Sequence, residues 1–188
     1  MTDDKRNLIL CGFMATGKSS VGKQLASMLG YDFLDMDACI EAEEGIPIPR
    51  IFAERGEAAF RALESKMVER IANRRASVIA TGGGTIVNPL NLEKLKSCGI
   101  LINLTADIDT IISRTGSGED RPMLQQGDRR ERILSLMAQR AGAYAQADLA
   151  IDTSTITVEE VARQIVDRLR ETSLLQQPVE RGSKQPCS

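Results

Sequence analysis

The chain has 188 residues, 42% hydrophobic and 27% charged, which suits one domain with a sizeable core. Its 24 basic and 26 acidic side chains nearly cancel, which argues against a general nucleic-acid or membrane-surface binder, because either needs a basic excess. It has no histidine, and this excludes His-based metal sites, Ser-His triads and a histidine general base.

Cys11, Cys39, Cys98 and Cys187 are too widely spaced for a CxxC pair or a zinc knuckle. No apolar run approaches the ~20 residues that span a bilayer, and residues 1–7 are polar rather than signal-like. The expectation is a soluble, cytoplasmic protein in a reducing setting, with no membrane or nucleic-acid partner.

Along the chain, short apolar runs alternate with helical patterns. Residues 8–11 read as a strand, and a helix follows from Lys18 with Val21, Leu25, Met28 and Leu29 on one face and Gly30 as its stop. Residues 31–35 read as a second strand. Residues 57–73 carry Phe60, Leu63, Met67 and Ile71 at helical spacing. Residues 77–81 form a third strand, ending in Gly82, Gly83 and Gly84, and residues 100–104 a fourth. Residues 106–114 and 128–144 read as helices, the second with Ile133, Leu136 and Met137 inward. Residues 149–152 make a fifth strand and 158–170 a last helix. This alternation predicts an α/β fold: a central parallel five-stranded sheet with helices on both sides, in three layers. Residues 115–128 and 172–188 break the pattern, and read as a mobile loop and a disordered tail after a single domain over 1–171.

Gly12-Phe-Met-Ala15-Thr16-Gly17-Lys18-Ser19 matches G-x-x-x-x-G-K-[ST] between a strand and a helix. Such a loop turns successive backbone N–H groups onto a phosphate chain. The two glycines permit unusual backbone angles, and the helix N-terminus adds partial positive charge. Lys18 reaches the terminal phosphates and the Ser19 hydroxyl can bind Mg²⁺. A glycine turn with an incidental lysine is the bland alternative, and it explains neither Lys18 nor Ser19. A phosphate loop of this type needs a nearby carboxylate. The third strand supplies none, whereas the second ends in Asp35-Met36-Asp37. If strand geometry continues there, both carboxylates face the same side at the ligand-binding end of the sheet. One acid can then serve the metal and the other the substrate, or both can cap a following helix.

Together these residues resemble the shikimate kinase family. The carriers are the phosphate loop, the Asp35/Asp37 pair, Gly56-Glu57-x-x-Phe60-Arg61-x-x-Glu64, Gly82 to Gly84, Arg121-Pro122-Met123-Leu124 and Arg140-x-x-x-Tyr144. They occur in order over most of the chain. The resemblance implies a P-loop NTPase fold like that of nucleoside monophosphate kinases, with a substrate-binding helical segment at 36–63 and a lid at 115–128. It implies transfer of the ATP γ-phosphoryl group to the 3-hydroxyl of shikimate with Mg²⁺ as cofactor, in aromatic amino acid biosynthesis, by a monomer. It assigns ATP to Gly12, Ala15, Thr16, Gly17, Lys18, Ser19, Ser20 and Arg121. Shikimate falls to Asp37, Arg61, Gly82, Gly83, Gly84 and Arg140, the metal to Ser19 and Asp35, and catalysis to Asp37, Lys18 and Arg121.

Read without the resemblance, Arg61 and Glu64 make a surface ion pair, Arg140 and Arg121 are solvated charges, and the three glycines form a flexible turn. The sequence departs from the family pattern at Ala15, often Gly, a change expected to matter little. Pro47 and Pro49 should alter how the substrate helix starts. Gly142 replaces a frequent proline, and the adenine-contacting segment after Asp152 is poorly matched. Two other readings compete: a gluconate or nucleoside monophosphate kinase, and a non-catalytic nucleotide-sensing module. With 3% aromatic residues and no Trp, stacking of a nucleotide acceptor is disfavoured.

Overall fold

Alternating side chains of the first strand set the layers of the molecule. Leu8 and Leu10 point to one face of the sheet, and Ile9 and Cys11 to the other. The computed structural model describes residues 6–116, 128–172 and 174. Five parallel strands, β1 (Asn7–Gly12), β2 (Asp32–Asp35), β3 (Ser77–Ala80), β4 (Gly99–Thr105) and β5 (Leu149–Asp152), lie in the order β2-β3-β1-β4-β5. Leu10 pairs in register with Ala80 on one side and Ile102 on the other.

On the Leu8/Leu10 face pack α1 (Lys18–Leu29) and α7 (Val158–Glu171), through Val21, Leu25, Val161 and Ile165. On the Ile9/Cys11 face pack α2 (Met36–Glu44), α3 (Ile48–Ile71) and α4 (Pro89–Cys98), through Met36, Ile51, Met67 and Leu95. A smaller cluster of Phe13, Ala106, Ile111, Ile133 and Leu136 joins α5 (Ile108–Arg114) and α6 (Arg129–Tyr144) to the loop after β1. The three-layer architecture matches the expectation.

Three local details differ from it. Met28 is 42% exposed, and Gly22 and Ala26 fill the inner face of α1 instead. The helix expected from residue 57 begins at Ile48 and bends where Gly56 takes φ 78°, an angle open to glycine. Helix α4 was not expected, although Asn88 caps it, accepting from Leu90 N, and Pro89 opens it. Pro47 is the extended residue before α3 and Pro49 lies in its first turn, where proline is tolerated. Pro47 has no capping side chain, and Glu41 Oε1 from α2 accepts from Ile48 N at 2.8 Å in its place.

Candidate active site

The phosphate loop follows β1 directly. Gly12 has φ 133°, and a Cβ on it would lie 2.2 Å from the Leu104 carbonyl of β4, so the loop can leave the sheet only through a glycine. Thr16 is fully buried and its hydroxyl donates to Phe13 O at 2.9 Å, bracing the loop from inside. Lys18 Nζ arches back to donate to Gly12 O at 3.0 Å and Phe13 O at 2.8 Å, which holds its charge over the turn. Gly17, at φ 89°, precedes α1 and has no side chain to cap its first amides. Those amides and the helix dipole therefore suit an external anion. Ala15 sits at φ 61°. A Cβ in left-handed backbone costs about 1–2 kcal/mol, a local strain that glycine would not carry.

The acidic pair is arranged differently from the expectation. The extended backbone stops at Asp35, whose Oδ1 accepts from Asp37 N at 3.1 Å and Ala38 N at 3.3 Å. Capping thus turns the chain into α2 at Met36, and Asp37 lies in the first helical turn rather than on a continuing strand. Asp35 Oδ2 accepts from Ser19 Oγ at 2.5 Å. These two hard oxygen ligands, at the mouth of the phosphate loop, fit the ligand chemistry of Mg²⁺. Among the described residues no three His, Cys, Asp or Glu gather. A cation between Ser19 and Asp35 would therefore take its remaining oxygens from phosphate and water.

The third strand brings the glycines in. Thr81 N and Oγ1 both donate to Leu10 O, at 3.0 and 3.1 Å, which holds the turn beside the phosphate loop. A Cβ on Gly82 would lie 2.4 Å from Glu64 Oε1 and 2.9 Å from Asp37 Oδ1; one on Gly84 would lie 2.6 Å from Arg61 Nη1. A side chain at Gly82 would displace the buried Glu64 carboxylate, whereas one at Gly84 would push aside the tip of the partly exposed Arg61. A Cβ on Gly83, with its nearest neighbours at 3.5 Å, would meet only ordinary contact.

Two arginines close the far side. Arg61 Nη1 meets Glu64 Oε2 at 2.5 Å and Nη2 meets Glu57 Oε1 at 3.0 Å. Burial pulls the Arg61 guanidinium down, but Glu64 and Glu57 outweigh it and the net shift is upward. Glu64 is 1% exposed, and its second oxygen accepts from the Thr85 hydroxyl at 2.6 Å. Arg140 is only 7% exposed. It donates to Gly83 O at 3.2 Å, and its guanidinium lies 5.6 Å from the Phe13 ring centroid. Among the described residues no carboxylate pairs with it. The Tyr144 hydroxyl donates to the same Gly83 carbonyl at 2.6 Å, and burial pushes its pKa up to about 12, so it stays a donor.

A cleft of about 620 Å³ connects these groups. Of the residues expected at the site, it brings together Ala15, Gly17, Lys18, Ser19, Ser20, Asp35, Asp37, Arg61, Gly82, Gly83, Gly84 and Arg140. Gly12 and Thr16 lie behind the loop and shape it. Arg121 and most of the segment 115–128 fall outside the described residues. Glu41, Ile48 and Phe52 also line the cleft, and none of them was given a site role from sequence. Glu41 was the harder to find, because its capping of α3 joins two helices that sequence periodicity treats separately.

Comparison with known proteins places the chain in a family. A family profile for shikimate kinase matches residues 14–170. A shikimate kinase from Geobacter sulfurreducens is 44% identical over 168 residues, covering 89% of this chain and 93% of that protein. One from Pelotomaculum thermopropionicum is 39% identical, covering 91% and 99%. The solved shikimate kinase from Acinetobacter baumannii in complex with shikimate superposes with a TM-score of 0.87 at 34% identity, covering 91% of this chain and 96% of that one. A gluconokinase from Sinorhizobium meliloti shares the fold alone, with a TM-score of 0.59 at 19% identity. The chain belongs to the shikimate kinase family.

Proposed function

We propose that the protein transfers the γ-phosphoryl group of ATP to the 3-hydroxyl of shikimate, giving ADP and shikimate 3-phosphate. Family membership supports the reaction, and the shikimate-bound relative supports the acceptor. The observation that carries it is Arg140. A guanidinium this buried, with an aromatic face and a carbonyl for company, is costly until an anion joins it. It lines the same cleft as the phosphate loop, as the carboxylate end of a hydroxy acid requires.

Phosphoryl transfer asks the protein for in-line positioning and charge stabilisation. In this reading the amides from Ala15 to Ser20 and the Lys18 ammonium hold the ATP phosphates. Ser19 and Asp35 hold Mg²⁺, which when bound neutralises charge on the transferring phosphate. Asp37 accepts the hydrogen of the attacking hydroxyl. Arg61 and Arg140 grip the acceptor carboxylate through paired N–H donors, and the backbone of Gly82 to Gly84 orients the ring. From the resemblance we assign residues 1–171 to one kinase domain and 172–188 to a tail. Segment 36–63 binds the acceptor, and 115–128 serves as a lid carrying Arg121 to the phosphates. We further assign the protein to the cytoplasm as a monomer without membrane or nucleic-acid partners. No helix among the described residues is long and apolar enough to cross a membrane.

An acceptor panel with coupled ADP detection tests this. Shikimate should give rapid ADP release, while gluconate, nucleoside monophosphates and buffer alone should not. Faster release with gluconate would move the acceptor assignment, and release without any acceptor would leave only an ATPase.

A further inference from the structure

Two carbonyls on the outer side of the phosphate loop are tied to the segment after β5 and its arginine partner: Thr16 O by the buried Thr153 hydroxyl and Ala15 O by Arg114. Thr153, immediately after β5, is 3% exposed. Its Oγ1 lies 3.1 Å from Thr16 O and 3.0 Å from Thr105 O, and accepts from Arg114 Nη1 at 3.1 Å. Arg114 in turn donates to Thr153 O at 2.6 Å and reaches Ala15 O at 3.4 Å. Thr153 N donates to Thr105 O at 2.9 Å, so the hydroxyl is fixed to the end of β4.

A peptide unit is planar and trans, so its C=O and N–H point in opposite directions. Fixing Ala15 O and Thr16 O on the outside therefore fixes the N–H groups of Thr16 and Gly17 on the inside, where the loop curls around its ligand. The same stretch contains Ala15 in left-handed backbone. A strained residue keeps such an angle only when its surroundings over-determine it. Lys18 secures the two earlier carbonyls, Gly12 O and Phe13 O. The pair Thr153/Arg114 secures Ala15 O, on the strained residue, and Thr16 O after it.

The geometry points to Thr153 as a positioning residue for nucleotide binding: a strut, on a segment distant in sequence, that pre-orients the cradle amides without touching the phosphates. This rests on the phosphate loop being the ATP cradle. Arg114 bonds Ala15 O and Thr153 O as well as the hydroxyl, so the test falls on Thr153, whose link to the loop is its hydroxyl.

The measurement pairs titration of a fluorescent ATP analogue with steady-state kinetics, for wild type, Thr153→Val and Thr153→Ser. Valine keeps the shape and removes the hydroxyl, and one such hydrogen bond corresponds to roughly 3- to 10-fold in affinity. Thr153→Val should weaken analogue binding and raise KM for ATP by about that factor, with KM for shikimate within about twofold. Thr153→Ser should restore nucleotide affinity. Folded Thr153→Val with unchanged nucleotide affinity overturns the strut, as does an equal rise in both KM values or failure of serine to rescue. Should valine prevent folding, Thr153→Cys, a weak donor of similar size, must shift nucleotide affinity in the same direction. No shift there also overturns it. The titration needs no acceptor, so failure of the shikimate assignment would appear separately, as wild type that binds the analogue but phosphorylates nothing.

Discussion

The Ser19 hydroxyl in the first turn of α1 lies 2.5 Å from Asp35 Oδ2 at the end of β2. The phosphate loop and the acidic strand end thus meet through one hydrogen bond, and the same carboxylate starts helix α2 through its other oxygen. One side chain therefore joins the phosphate loop and sets the entry of Asp37 into the cleft, and in the proposed function it would also hold the cation.

Substitution can separate those two roles. Asparagine caps helices as well as aspartate does, so Asp35→Asn should leave thermal stability within about 1 kcal/mol of wild type. The lost charge should lower kcat by about 100-fold, the scale of one electrostatic contact at a reacting phosphate. Asp35→Ala should lose both, adding about 1 kcal/mol of destabilisation. Urea unfolding and steady-state kinetics on the two variants check this.

Glu64 is the buried anchor of the cleft wall that carries Arg61. It is 1% exposed and bonds Arg61 and Thr85 at once. Removing it leaves a half-buried guanidinium with only Glu57 and an unsatisfied threonine hydroxyl. Glu64→Ala should cost about 3 kcal/mol of stability and raise KM for shikimate more than KM for ATP. Glu64→Gln, which keeps an acceptor, should lose less of each. Chemical denaturation with kinetics for both substrates checks the order.

Ala15 offers a test with the opposite sign. At φ 61° its Cβ is strained, while glycine adds entropy to the unfolded chain at about 0.4–1 kcal/mol. Ala15→Gly should therefore be neutral to stabilising by about 1 kcal/mol, whereas Ala15→Val should destabilise clearly. Thermal unfolding of both variants decides it.

Much of the site was legible because its signals are local. Gly12 to Gly30 presented a phosphate motif, a helical stripe and a glycine stop within one stretch; the stripe and stop fold as α1 with its C-cap, with Met28 alone of the stripe turned well out to solvent. The Asp35/Asp37 geometry was not legible, because strand and helix continuations fit the same residues until the Asp35 side chain is seen capping Asp37 N and Ala38 N. Helix α4 carried readable signals in Asn88 and Pro89, but its apolar residues are few and the stretch received no reading from periodicity. The Glu41 cap on Ile48 and the Thr153 link to Thr16 O depend on elements brought together only by the fold.

Buried thiols predict an alkaline limit to stability. Burial pushes Cys11 up to about 12 from an ordinary value of 9.0. The folded state therefore favours the neutral thiol: the stability it contributes is intact below pH 9 and is lost as pH rises toward 12. Between about pH 8 and 10 this one group should lower unfolding free energy by about 1.4 kcal/mol. Cys11→Ala should reduce the pH dependence by that amount, read by urea unfolding at both values. An unchanged pH dependence would contradict it.

The most direct test of the whole account is single-turnover transfer from ATP to shikimate, compared between wild type and Asp37→Asn. Asparagine keeps the shape in the first turn of α2 and removes the proton acceptor. ATP binding should stay within about threefold while transfer falls by about 100-fold or more, the contribution typical of a positioned base. Transfer by Asp37→Asn at a rate close to wild type would contradict the claim that this carboxylate presents the acceptor hydroxyl to the phosphate.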